Sequence, residues 1–527
     1  MSAGSTTNPP AEIHSSTPHP PPAIAFSVLF GLSAAKLLIH LLTNGRYGYF
    51  RDELYFLACG RHLAWGYVDM APMVALFAKI GLLLGGSLHA IRFLPALAGA
   101  GVVALAILIT RELGGGRFAQ GLAGLCVLVA PVYLATDSIL SMNAFEPLFW
   151  MGSVYVVVHI VNTGNSRLWL WFGVLAGLGL ENKHSTAFFG FAVVIALLLS
   201  AQRREYLKPW LWLGGAIALL IFLPNLIWQI QHHFPTLEDL ENVKKMGKNV
   251  ELGPLAFIWQ QIFMLHPITF PVWAAGLWFF FAGQGSRWRA LGWTYLALLV
   301  TMIALKGKAY YLAPIYPMLF AGGGAAIEDW LSRGRLTSWK LWPKAALVTI
   351  IVLTAAVTDI LALPILPPEK YIAYSTAIGV APPKTEVHHS GPLPQIFGDQ
   401  FGWPELVDQV AKLYWSLPPE ERSRTAIFAN NYGEAGAIDF FGPKYGLASA
   451  ISAHQNYYFW GPPRFNGDIL IVLQSNRQRL EKVCGSVEEA AVHFHPYGMA
   501  EENQPIYVCR GLKLNLTEIW PELKHWN

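Results

Sequence analysis

Charge is scarce in this chain. Only 13% of its 527 residues are Asp, Glu, Lys or Arg, against about 25% in a soluble domain. With 54% hydrophobic residues and a mean hydropathy of +0.38, this excludes a globular enzyme on one anchor and indicates a polytopic membrane protein. The net charge of +4 is small and its basic residues are scattered among apolar runs, which excludes a nucleic-acid partner. No repeat with a period of about 20–50 residues is present, so the chain is not a repeat array. Zinc-site and phosphate-loop spacings are also missing. His454, His493 and His495 lack paired ligand spacing and read as ordinary surface or core residues. Residues 1–22, rich in Pro, Ser, Thr and His without a charged start, read as a disordered cytoplasmic tail rather than a cleavable signal peptide. Cysteines number four. Cys59 and Cys126 lie in or near apolar segments. Cys484 and Cys509 lie in a polar region, where they pair if the compartment is oxidising and otherwise remain free thiols.

What is abundant is long apolar runs. A spanning helix needs about 20 mostly apolar residues, and by that rule eleven spans are expected, near 24–43, 88–109, 119–136, 145–162, 167–183, 185–202, 209–229, 268–283, 290–306, 311–328 and 345–364. Met73–Leu84 and Leu255–Leu265 are shorter and suit interfacial helices. With a cytoplasmic N-terminus, the inner turns carry Arg111, Arg117, Arg167, Arg203, Arg204, Lys208, Arg287, Arg289, Arg333, Arg335, Lys340 and Lys344, as the positive-inside rule requires. The outer loop Asn44–Ser87 and everything after the last span then face outside. From about Pro367, Gly, Pro and charge return. Thr425–Ala429 and Asp468–Leu473 read as buried strands, and Val407–Trp415 and Arg479–Cys484 as helices. The expected organisation is therefore an α-helical membrane domain over 23–366 and an extracytoplasmic α/β domain over 367–527, in a multi-pass protein of the inner (plasma) membrane.

The outer loop holds the densest polar chemistry. Tyr47–Pro72 reads YGYFRDELYFLACGRHLAWGYVDMAP and interleaves Arg51, Asp52, Glu53, Arg61, His62 and Asp69 with aromatic residues. Adjacent acids on an irregular loop can split their work, one activating a hydroxyl and the other positioning a substrate or metal. The competing reading is that both acids pair with Arg46, Arg51 or Arg61 and only shape the loop. Glu181-Asn182-Lys183-His184 ends a span, where Lys183 either binds an anion or snorkels to headgroups. Gly173, Gly177 and Gly179 before it permit close helix packing. Lys306-Gly307-Lys308-Ala309-Tyr310-Tyr311 suits a phosphate and its lipid or sugar, or is an interfacial belt. Arg92, Asp137 and His266 complete a ring that the expected topology places on one membrane face. In the polar region, Asn430–Gly442 (NNYGEAGAIDFFG) is the most distinctive piece, with Glu434 and Asp439 as candidate contacts to a sugar or acceptor.

These pieces resemble the bacterial GT-C glycosyltransferases, the family 39-like proteins related to protein O-mannosyltransferases and to the lipid A aminoarabinose transferase. The resemblance lies in Tyr49–Pro72, Ile91–Pro95 (IRFLP), Gly177–Lys183 (GLGLENK), Pro224–Gln229 (PNLIWQ), His266-Pro267 and Lys306–Pro317 (KGKAYYLAPIYP), in the family's order over roughly residues 25–330. It implies a GT-C type multi-span fold with its site at the outer surface, and a sugar taken from a polyprenyl-phosphate carrier to a lipid, glycan or protein hydroxyl, with inversion. Asp52 is then the catalytic base and Glu53 the residue that positions acceptor or substrate. Asp69, Arg51, Arg92, Lys183, His184, His266, Lys306, Lys308, Tyr310 and Tyr311 are candidate substrate contacts. No cofactor is certain, a divalent metal is possible, and its ligands are not identified. A multi-span transporter or lipid flippase is the alternative function, though transporters favour internal repeats and midplane charges. A binding protein that relies on its C-terminal region is a third.

Overall fold

A computed structural model gives the fold and describes residues 21–333, 341–381, 386–387, 390–461, 465 and 467–527. Nearly all of the expected N-terminal tail, together with Arg335 and Lys340, lies outside the described residues. Each of the eleven expected apolar segments is helical, but they differ in length. Phe26–Thr43, Leu88–Glu112, Met142–Thr163, Pro209–Gln231 and Trp342–Leu361 are each long and apolar enough to cross a bilayer, and two bent pairs bring the number to seven. The shortfall from eleven has a local cause. Pro131, which lacks an N–H and clashes with the preceding turn, divides the expected 119–136 span into Arg117–Leu128 and Pro131–Thr136. At His266-Pro267 the helix Pro254–Met264 turns by 100° into Pro267–Phe281. Trp169–Asn182 has 14 residues, or ~21 Å at ~1.5 Å per residue, short of a hydrocarbon core of about 30 Å.

Small residues set the bundle's tightest contacts. A Cβ at Gly173 would strike the backbone of Gly214, and one at Gly177 would meet Ala218 and Ile221, so Trp169–Asn182 and Pro209–Gln231 approach closely, as small-residue interfaces allow. Asp137 does not join the expected ring. It forms an ion pair with Lys36 inside the bundle, Nζ to Oδ2 at 2.9 Å, both side chains almost sealed from solvent.

The loop after the first span is not irregular. Arg51–Arg61 and Met73–Leu83 are α-helices. The first begins with a one-sided cap: the backbone N–H of Phe50 donates to Glu53 Oε2 at 2.9 Å, and Asp52 and Glu53 sit in its first turn, where the positive end of the helix dipole favours acids.

The polar region forms a four-stranded sheet in the order β1-β2-β4-β3. β1 (Thr425–Phe428) runs parallel to β2 (Ile469–Val472), which pairs antiparallel with β4 (Pro505–Arg510), and β3 (Ser486–Val492) pairs antiparallel with β4. All four β2 residues are buried, as expected of a central strand covered on both faces. This region does not float free of the membrane domain. Leu54, Tyr55, Tyr67 and Met70 of the loop after the first apolar helix share one hydrophobic core with Trp403, Leu406, Ile427, Ala435, Ile471 and Val508. The glycines of Tyr432–Phe441 explain how close the two parts come: a Cβ at Gly436 would lie 2.8 Å from the Leu54 carbonyl carbon, and one at Gly433 would press on the Arg51 side chain.

Cys484 and Cys509 form a disulfide across a sequence separation of 25 residues, whereas Cys59 and Cys126 are buried free thiols. A loop of that length contributes about 3.5 kcal/mol in the chain-entropy treatment. Alkylation with mass analysis is expected to label Cys484 and Cys509 only after reduction, and quantitative labelling of both in the unreduced, denatured chain would contradict the bridge.

Candidate active site

Asp52 and Glu53 are neighbours on a helix, so their side chains diverge by ~100°. Glu53 points into the protein and is fully buried. Its Oε1 accepts from Arg92 Nε at 2.8 Å and from the Leu140 N–H at 2.7 Å, while Oε2 accepts from Arg92 Nη2 at 2.7 Å and from Phe50. Arg92, equally buried, also donates to the carbonyls of Asn44 and Gly48, both at 2.7 Å, and to Gln400 Oε1. Every oxygen of Glu53 is thus committed to holding the loop. Asp52 points the other way. Its side chain is 36% exposed and lies 4.0 Å from Arg51 Nε. Oδ1 accepts a 2.8 Å hydrogen bond from the Tyr432 hydroxyl, and Oδ2 carries no hydrogen bond among the described residues.

The other candidates fall into groups. Lys183 Nζ donates to Glu146 Oε2 and Asn143 Oδ1, both at 2.8 Å, and lies 4.4 Å from the ring centre of Tyr311. Ser185 donates to the other oxygen of Glu146. His184 Nε2 pairs with Asn225 Oδ1 at 3.0 Å, and Asn225 Nδ2 donates to the Trp65 carbonyl. Gln229 donates to the Tyr67 carbonyl at 3.2 Å. The PNLIWQ and LENK segments therefore clamp the outer loop and the start of Met142–Thr163. Lys306 is exposed and pairs with Glu251. Lys308 pairs with Glu386 at 3.6 Å. Burial first, then Tyr311, Glu386 and Asp52, raises the Tyr310 hydroxyl well above its ordinary value. His266 is buried at the 100° bend and shares no hydrogen bond or ion pair with the Asp52 group among the described residues. Asp69 is half-buried and accepts from the Tyr55 hydroxyl at 3.0 Å. Burial and the nearby Asp239 push it up to about 7.

Arg51 and Tyr432, the two residues against Asp52, line a cavity of about 240 Å³ together with Lys248, Glu386, Asn431 and His454, among others. It is smaller than the ~300–1,000 Å³ of drug-sized pockets and suits a single sugar ring with attached groups. Its lining joins the outer loop, the segment after Pro209–Gln231 and the C-terminal region.

The chain is similar to known proteins. A family model described as dolichyl-phosphate-mannose-protein mannosyltransferase matches residues 69–228. Lipid A galacturonosyltransferase RgtD of Rhizobium johnstonii is 26% identical over 270 residues, 50% of this chain and 56% of that protein, so the match spans little more than half of the relative's length. The crystal structures of ArnT from Cupriavidus metallidurans superpose with a TM-score of 0.59 in the apo state and when bound to undecaprenyl phosphate, at 14% and 13% identity, covering 92% of this chain and 98% of theirs. The chain has the GT-C glycosyltransferase fold. The likeness to ArnT covers the polar C-terminal region as well as the helices. Asp69, Arg92, Lys183 and His184 fall inside the matched family segment, and Asp52 and Glu53 precede it.

Within this GT-C fold, several site residues were not singled out by sequence reasoning. Tyr432 lay inside the flagged Asn430–Gly442 segment, but Glu434 and Asp439 were its expected contacts. Both are spent internally: Glu434 closes a capping box with Asn430 and Asn431, and Asp439 accepts from the Tyr457 hydroxyl and the Ala450 N–H. His454 is not an ordinary core residue. It lines the cavity and takes the Tyr432 N–H on Nδ1, and burial, with His525 and Lys248 adding to it, holds it well below its ordinary value, hence neutral. Lys248 and Glu386 carry no motif at all. Among the described residues no group of three or more His, Cys, Asp or Glu side chains is arranged to hold a metal ion.

Behind Arg51 lies Asp399, 1% exposed, with neither carboxylate oxygen hydrogen-bonded. Burial pushes it up to about 8; Arg51 opposes this, and Asp52, Glu386 and Glu502 add to it. A carboxyl whose folded value is raised binds a proton in the folded state that the unfolded chain has already released. Its stability penalty therefore starts near the unfolded value of about 4, grows as pH rises and levels off above about 8. Asp399→Asn is expected to match the parent in thermal stability at pH 4 and to gain on it steadily up to pH 8, by at most ~1.4 kcal/mol per pH unit. A pH-independent difference in melting temperature would contradict the burial of a titrating Asp399.

Proposed function

We propose that the chain is a membrane glycosyltransferase that moves a sugar from a polyprenyl-phosphate carrier to a hydroxyl acceptor at the outer face of the inner membrane, with inversion. The observation that carries this reading is Asp52, a partly exposed carboxylate with one oxygen left without a hydrogen bond among the described residues, held by Tyr432, which with Arg51 lines a cavity of about 240 Å³. In the proposed step the acceptor oxygen attacks the anomeric carbon and the bond from that carbon to the carrier phosphate breaks. The acceptor's proton passes to Asp52, and the carrier leaves as its phosphate. General-base help of this kind is ordinarily worth ~10²–10⁴-fold. Negative charge grows on the departing phosphate, where Arg51, Lys248 and Lys308 supply positive charge in partly dehydrated surroundings. Lys183 sits already paired with Glu146, so its proposed part is to set the Tyr310–Tyr311 turn. Glu53 and Arg92 are proposed to hold the loop rather than touch substrate.

RgtD acts on lipid A by its name, and ArnT binds undecaprenyl phosphate. A polyprenyl-phosphate-linked galacturonate and lipid A are therefore the first donor and acceptor to assay. The relatives give the transporter alternative no support. The proposed orientation keeps the N-terminus cytoplasmic and the Asp52 end of the bundle outside, in the compartment where a Cys484–Cys509 bridge would persist.

Asp52→Asn in proteoliposomes is expected to fold and to lower transfer at least ~100-fold, as loss of a general base does. Mass spectrometry of the acceptor reads the outcome, and transfer at the parent rate would remove Asp52 as the base.

A further inference from the structure

We infer that Tyr432, contributed by the C-terminal region, is a positioning residue for Asp52: its hydroxyl fixes Oδ1 and leaves Oδ2 as the one oxygen that takes the acceptor's proton. The inference rests on the reading of Asp52 as the base.

The contact spans 380 residues of sequence at 2.8 Å, and the ring that makes it is held on several sides. Tyr432 is 9% exposed. Its ring centre lies 4.9 Å from that of Tyr55 and 5.0 Å from that of His454, with the Arg51 guanidinium carbon at 5.3 Å. Its backbone N–H is taken by His454 Nδ1 at 3.2 Å. It opens the helix Tyr432–Phe441, whose start is locked by the reciprocal Asn431–Glu434 box. The next residue, Gly433, leaves the space that the Arg51 side chain fills. A phenol held this firmly has little freedom left to lose when it orients a carboxylate.

The hydroxyl is also a dependable donor. Burial raises it well above 10, Arg51 opposes this, and Asp52 raises it further, so it keeps its proton throughout the working range. Donation to a carboxylate favours the ionised form, which a general base needs. Arg51 lies against both partners, on the Tyr432 face and 4.0 Å from Asp52. The other charged groups in this field are Asp399, Glu386 and Asp69. The C-terminal region is on this account a wall of the active site.

The test is transfer by the full-length protein in liposomes, with kcat and KM read separately. Tyr432→Phe removes only the hydroxyl and is expected to lower kcat about tenfold while KM changes little. In the Asp52→Asn background the same substitution is expected to cost nothing further, because its effect runs through Asp52. Tyr457→Phe is the control. It removes a buried hydroxyl from the same aromatic group, one that donates to Asp439 instead, and is expected to keep the parent kcat. A parental kcat in Tyr432→Phe, an equal loss in Tyr457→Phe, or a further loss of about tenfold on top of Asp52→Asn would overturn the inference. If Tyr432→Phe keeps the parent kcat while Asp52→Asn abolishes transfer, the positioning role falls and the base stands. Full transfer in Asp52→Asn removes the base, and the positioning role with it.

Discussion

The buried Glu53–Arg92 pair is the constraint on which the rest of the structure depends. Breaking such a pair from one side strands a charge and costs roughly 3–5 kcal/mol, and here the pair does more than join two side chains. Through it the end of the first apolar helix, the start of the loop helix, the Leu88–Glu112 helix and the turn at Leu140 are tied to one another, with Gln400 of the C-terminal region at its edge. The geometry of Arg51–Arg61 follows. Once Glu53 is anchored inward, the helical period turns Asp52 outward by one residue's rotation, toward Tyr432. The paired acids divide into a fastener and a candidate base because they are adjacent on a helix.

The same anchoring gives the C-terminal region its place. Tyr432–Phe441 lies against the loop helix closely enough that two glycines are needed, and the Arg51 N–H donates to the Asp399 carbonyl at 3.0 Å. Further ties run from the Val68 N–H to Asn456 at 2.9 Å and from Arg61 to the Asp439 carbonyl at 2.7 Å. One hydrophobic core covers both parts. The C-terminal region thus contributes His454, Asn431 and Tyr432 to the lining of the cavity.

Much of this was legible in the chain, and the failures have physical causes. Apolar runs predicted the helices, and the return of Gly, Pro and charge after Pro367 framed β1 and β2 to within a residue, while the helix expected from Val407 begins at Trp403. Of the expected contacts, Lys308 pairs with Glu386, which lines the same cavity as Arg51, the neighbour of the adjacent acids. The loop helix was missed because its cap is Phe50, outside the usual Ser, Thr, Asp or Asn; the Glu53 half of the capping box was the remaining signal. Eleven long spans were expected where proline breaks shorten several. Asp137 and His266 were grouped with the site because each ends an apolar run, yet Asp137 answers Lys36 instead. Lys248, Glu386 and Tyr432 meet at the cavity, and Asp399 meets Arg51, only through tertiary packing across hundreds of residues, and no local spacing could reveal them.

The central claim is a single displacement at the anomeric carbon, assisted by Asp52, with the sugar never bonded to the protein. The measurement that bears on it most directly is the anomeric configuration of the transferred sugar, read by nuclear magnetic resonance on product made by the purified protein from a polyprenyl-phosphate-linked galacturonate and lipid A. The account predicts a product inverted relative to the donor, and a product with retained configuration would contradict it.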